Sequence, residues 1–173
     1  MPKRRKRHWI EGTVGLLMVL CAAGCVWLNP EPVYTANVNE VVIVVEPNTD
    51  DSVYEVMGIF GVNGILCGGR GGGNADRSKL EYAIDALRLE PKDFPIKSDL
   101  STFTVDFYLA TVNDHAIDFD NPTEGMVPVA GTLAFPVAYG NVYRVSITGS
   151  AEKGYKANYL GTDDKSEKGS VKE

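Results

Sequence analysis

The sequence predicts a mainly β protein: a single antiparallel β-sandwich with one short helix, behind an N-terminal signal or anchor segment. Two observations carry the sandwich. About seven short runs of β-branched and aromatic residues recur with turn residues between them. In the clearest run, Phe103, Val105, Phe107 and Leu109 alternate with Thr102, Thr104, Asp106 and Tyr108, so one face is core and the other is wet. A third observation sets the N-terminus apart. Lys3, Arg4, Arg5, Lys6 and Arg7 precede an apolar run from Gly12 to Gly24. A cationic head before a short apolar stretch and small residues is an export signal.

Taken in order, the chain divides into an export signal (1–24), a tether (25–39), the sandwich (40–161) and a charged, solvated tail (162–173). Ala22-Ala23-Gly24-Cys25 resembles the lipobox of bacterial lipoproteins, in which the signal is cut and the new N-terminal Cys is lipidated. The resemblance implies lipidation of Cys25. It departs from the family pattern at Ala22, where Leu is usual, and Glu11 at the head of the apolar run disfavours insertion. The rivals are an uncleaved anchor over 12–28, at the short limit for a bilayer span, and an ordinary cleaved signal. All three leave the domain outside the cytoplasm, at the cell envelope, because the basic residues stay inside.

Removal of residues 1–24 leaves 149 residues, enough for one domain with its own core. The remaining 12 basic and 22 acidic residues give a net charge of −10. Such a domain is repelled by nucleic acid, so a nucleic-acid partner is excluded. Cys67 is then the one remaining thiol outside Cys25, and its apolar setting, Ile65-Leu66-Cys67, reads as a buried structural cysteine.

Asn29 to Asn39, with Pro30 and Pro32, reads as an extended tether. Val41 to Val45 is an unbroken β-branched run, a strand buried on both sides. Val53–Val62 and Ile65–Cys67 flank Asn63-Gly64, the strongest short hairpin signal, because both turn residues need positive φ. Gly68 to Asn74 holds five glycines and Arg70. It lacks the Lys-Ser/Thr ending of a P-loop, and Asn74 stands where a dinucleotide fold needs a third glycine, so it reads as a flexible surface loop. Ser78-Lys79-Leu80-Glu81 has the form of a capping box, and Leu80, Ala83, Ile84 and Leu87 recur at helical spacing. The prediction is a helix over 79–89, with a strand as its competitor. Strands over 131–137 and 141–148 and a short one around Tyr155, Ala157 and Tyr159 complete the set.

Gly140-Asn141-Val142-Tyr143 and Gly154-Tyr155-Lys156-Ala157 resemble the closing strands of transthyretin-like or carboxypeptidase-regulatory-type modules. The resemblance covers residues 139–161. It implies an Ig-like or transthyretin-like sandwich and no activity.

No catalytic constellation stands out. His115 lies in a polar stretch without partners at motif spacing, and one His with one Cys serves zinc poorly. The candidate metal site is Asp114, Asp118, Asp120 and Glu124, an oxygen set suited to Ca²⁺ but without EF-hand spacing. A plain acidic connecting loop is the preferred reading, and no other cofactor is expected. The functional expectation is a membrane-anchored lipoprotein that binds a protein or glycan partner, or assembles, without catalysis. A hydrolase with carboxylates in the 114–124 loop and a subunit of a larger envelope complex are the alternatives.

Overall fold

A computed structural model describes residues 32–113, 121 and 123–163. Among these described residues nine strands follow in order: β1 (Val41–Thr49), β2 (Glu55–Val62), β3 (Ile65–Gly73), β4 (Ile84–Leu89), β5 (Thr104–Ala110), β6 (Val127–Ala130), β7 (Leu133–Ala134), β8 (Val142–Ser150) and β9 (Gly154–Asp163). Single 3₁₀ turns lie at Pro91–Asp93 and Leu100–Thr102. The protein is therefore mainly β, as predicted.

The layer arrangement differs from the prediction. The strands form one sheet in the order β3-β2-β5-β6-β9-β8-β1-β4, with β7 on β5, and the sheet curls almost into a barrel. Pairing is mixed: β1 runs antiparallel to β4 but parallel to β8, and β6 runs parallel to β9. β6 is the stitch that makes two sandwich layers into one surface, since it pairs with β5 on one side and β9 on the other. A barrel of this kind leaves fewer unpaired strand edges than an open sandwich does.

The two end strands, β3 and β4, meet without a ladder among the described residues, and glycine makes the meeting close. A Cβ at Gly72 would lie 3.5 Å from the Ala86 Cα and 3.4 Å from the Ile84 Cδ1. Across the interior, a Cβ at Gly58 would stand 2.8 Å from the Leu87 Cδ1. Bare positions on β2 and β3 thus let β4 fold over them, and the barrel fills with side chains. On the outer face, the Met57 and Ile59 side chains lie across β3 where Gly71 and Gly69 leave room.

This explains two corrections. Residues 68–73, expected as a flexible loop, are most of β3, paired with β2 from Gly68↔Phe60 to Gly73↔Glu55. The expected helix over 79–89 is absent, and Ile84–Leu89 is strand β4. Its apolar residues satisfied both periods, but β1, buried on both faces, needed an antiparallel neighbour, and tertiary demand overrode the local pattern. Ser78 is no helix cap either. Its N–H donates to the Asp76 carboxylate (3.0 Å) and its hydroxyl accepts from the Asn74 amide (2.9 Å).

Elsewhere the predicted elements are present. Phe103, just before β5, and Val105, Phe107 and Leu109 within it are buried (each 0–1 % exposed), while Thr104, Asp106 and Tyr108 face outward. Asn63 (φ 53°) and Gly64 (φ 73°) form the hairpin turn with both residues left-handed. The strand expected over 131–137 shrinks to β7. Phe135 and Val137 continue past it by single bonds to the Phe103 and Leu100 carbonyls. One end of the interior is aromatic: Phe60 stacks on Phe103 at 6.3 Å and Phe103 tilts against Phe135 at 5.6 Å, while the exposed Tyr159 stacks on Phe135 at 4.5 Å.

Residues 34–39, read as tether, lie against the barrel. Tyr34 and Ala36 cover the outward side chains of Val42, Val44 and Val142, which form a second apolar cluster outside the sheet. At the other end of the chain β9 continues to Asp163, whose carboxylate accepts from Arg144 at 2.8 Å.

Candidate functional site

A groove opens on the outer face of β2 where β3 ends and β5 ends. Glu55 pairs with Gly73 on one side and Ala110 on the other, so these three residues share one face. The next residue, Val56, is fully buried and points inward, which places Glu55 outside. Gly71 shares the outward face, two residues before Gly73. With no side chain at either glycine, the surface is concave there. The groove has a volume of about 590 Å³, within the ~300–1,000 Å³ span of small-molecule sites.

Its walls come from two loops. On one side, Asn74 to Lys79 is tied by its own side chains: the Asn74 amide donates to the Lys79 carbonyl (3.0 Å) as well as to Ser78. Hydrogen bonds from the Ser78 hydroxyl and N–H hold the Asp76 carboxyl below its usual range. The turn puts Arg77 in a left-handed conformation (φ 58°), exposed at the groove wall. On the other side stand Val112 and Asn113, beyond the end of β5. Tyr54 closes one end, held where its N–H donates to the Ala110 carbonyl at 2.9 Å. The lining thus includes the side chains of Tyr54, Glu55, Arg77 and Asn113 around a backbone floor, with the Asn74 amide tied into its own loop. That set binds by hydrogen bonding with both donors and acceptors, and it favours no single charge.

No protein-family model, curated protein or solved structure matches this chain. The site therefore rests on its own geometry.

Of the predicted site residues, only Glu124 lies among the described residues. Cys25, Asp114, His115, Asp118 and Asp120 lie outside the described residues. Glu124 is described: it is exposed, in a turn in which its N–H donates to the Asn121 carbonyl at 3.0 Å. Among the described residues, no three His, Cys, Asp or Glu side chains gather as metal ligands. Cys67 is half-buried on β3, not fully buried as expected, and its thiol lies 3.5 Å from the Ile65 carbonyl. No helix among the described residues is long and apolar enough to cross a membrane. One signal for the groove was present in the sequence, the glycine run itself. Its meaning depended on pairing with β2.

Beside the candidate site stands a structural pair. The buried Tyr155 hydroxyl donates to Asp51 at 2.7 Å, and the Ala151 N–H donates to the same oxygen at 2.6 Å. Burial, then the Asp51 carboxylate, push the Tyr155 phenol up to about 12. The Tyr155 hydroxyl, then the Ala151 N–H, hold the Asp51 carboxyl below its usual range. The pair clamps the β1–β2 connection to the β8–β9 turn.

Proposed function

We propose that this chain is an exported, membrane-tethered binding module of the cell envelope, and that it holds its ligand in the groove over β2. The groove is the observation that carries the binding reading: a concave, mixed-polarity surface built on a rigid sheet and rimmed by two loops. Export and tethering are supported by the sequence, through the basic cluster at Lys3–Arg7, the apolar run to Gly24 and the small residues before Cys25. The ligand, a protein or a glycan, is held by hydrogen bonds from Tyr54, Arg77 and Asn113 without covalent chemistry.

Two measurements test the reading. Metabolic labelling with a fatty acid should mark the wild-type chain and not Cys25→Ala, whose precursor should stay uncut. Unchanged size and unchanged membrane retention in that variant would instead favour the uncleaved anchor. For the groove, a photo-crosslinking residue at Ala75 should capture a partner in intact cells, and one at the remote, exposed Lys156 should not. Val112→Arg, which fills the groove, should abolish the Ala75 crosslink. Equal crosslinking at both sites would remove the groove from the proposal.

A further inference from the structure

The segment before β1 is joined to the barrel in an unusual way. Tyr34 and Ala36 lie half-buried against Val42, Val44 and Val142, while Thr35 between them is exposed. That alternation is a strand's, yet no backbone ladder holds it: among the described residues, no backbone–backbone hydrogen bond reaches Tyr34, Thr35 or Ala36. The fastenings are side-chain contacts. The Tyr34 hydroxyl donates to the Ala83 carbonyl, and its ring lies 6.0 Å from the Arg144 guanidinium. Arg88 donates to the Thr35 carbonyl at 3.4 Å, and the Asn37 N–H donates to Glu40 at 3.2 Å. Beneath them, β1 keeps its own ladders, to β4 over Val41–Val45 with a register shift between Ile43 and Val44, and to β8 over Val42–Thr49.

From this we propose that residues 34–39 are a detachable strap, which opens as a unit while the barrel stays folded. Opening breaks side-chain contacts and no sheet pairing, so it belongs to the low-stability class of local transitions and not to global unfolding. It hinges at the turn closed by the Glu40 N–H on the Asn37 carbonyl (3.0 Å). Two properties of the molecule change together when it opens. The outer face of β1 and β8 turns from covered to apolar, baring Val42, Val44 and Val142. The first of the residues before β1 held by side-chain contacts moves from Tyr34 to Glu40, which frees six residues, roughly 20 Å of extended chain. The inference does not depend on what the groove binds or on lipidation of Cys25.

Thiol reactivity in the full-length chain tests it. Val44→Cys places a thiol under the strap, and Ile43→Cys places one inside the barrel; both positions are fully buried. Labelling is read at each cysteine by peptide mass spectrometry, so the native cysteines stay. The Val44→Cys thiol should react at least about tenfold faster than the Ile43→Cys thiol under native conditions, as expected for local opening. Adding Tyr34→Ala should speed the first by a further tenfold or so and leave the second unchanged. A common rate for both thiols, or equal acceleration of both by Tyr34→Ala, would overturn the strap. Should either cysteine variant fail to fold, chymotrypsin cleavage after Tyr34 in the unaltered chain decides. Cleavage without denaturant, with β1 amides still protected from hydrogen exchange, is the result expected. Cleavage only where the barrel unfolds would overturn the proposal.

Discussion

Phe107 and Tyr108 are neighbours with opposite fates, and the difference is measurable. Phe107 is 1 % exposed inside the barrel, whereas Tyr108 lies half-buried outside beside Met57 and Ala110. Phe107→Ala should cost roughly 3–5 kcal/mol of stability in denaturant titrations and Tyr108→Ala markedly less. Equal losses would mean the strand faces the core on both sides. Tyr155 gives a second residue-level expectation. Its folded pKa of about 12 exceeds the ordinary tyrosine value of 10.0. The unfolded chain therefore releases that proton first, and the clamp's contribution is complete below pH 10 and lost as pH rises from about 10 to 12. Burial also raises Tyr34 and Tyr139, in the same direction. Tyr155→Phe should flatten the alkaline fall of the melting temperature without abolishing it. An identical alkaline slope in the variant would show that the phenol is not held by Asp51.

At the scale of elements, closure by absent side chains makes its own prediction. Gly58→Val should push Leu87 out of its place, because a Cβ there already lies 2.8 Å from the Leu87 Cδ1. The overpacking should cost about 1–3 kcal/mol. Leu87→Ala should recover part of that loss in the double variant, a coupling that a double-mutant cycle reads directly. Additive losses would separate β4 from β2. The same elements show what sequence reasoning reaches. β5 was legible because its alternation is strict and one of its faces is wet. The turn at Asn63-Gly64 was legible because left-handed backbone narrows the choice of residue. The start of β3 at Ile65–Cys67 was legible from the hairpin, but residues 68–73 were not, since glycine has little strand propensity and its role lay with Met57, Ile59 and Ile84 on other strands. β4 was not, because an apolar residue every three or four positions in a six-residue element fits either period. The groove shared β3's obscurity, being made of the same missing side chains. The acidic candidates at Asp114, Asp118 and Asp120 were legible only as composition.

At the scale of the whole barrel unit, packing begins at Tyr34 and not at the first residue of β1. A chain starting at Val33 should melt cooperatively at a higher temperature than one starting at Glu40. The shorter chain bares the outward valines of β1 and β8, a loss of roughly 1–3 kcal/mol, about that of exposing one large apolar side chain. It should nonetheless unfold in a single transition, because both ladders of β1 remain. Equal melting temperatures would leave the strap without energetic weight, and a broad, non-cooperative melt of the shorter chain would make it part of the core.

The parallel pairing of β1 with β8 also governs when this protein can fold. Val42 lies beside Val142, and β1's other neighbour, β4, is a short strand of six residues. Closing the loop of 100 residues from Val42 to Val142 precedes any reward from the contacts it brings, so assembly of the barrel belongs at the slow, millisecond-to-second end of folding rates. A ribosome delivering the chain from its N-terminus therefore releases β1 and β4 long before β8 exists. Until β8 emerges, one edge of Val41 to Val45 stays unpaired on a β-branched run, the kind of segment a holdase has reason to grip.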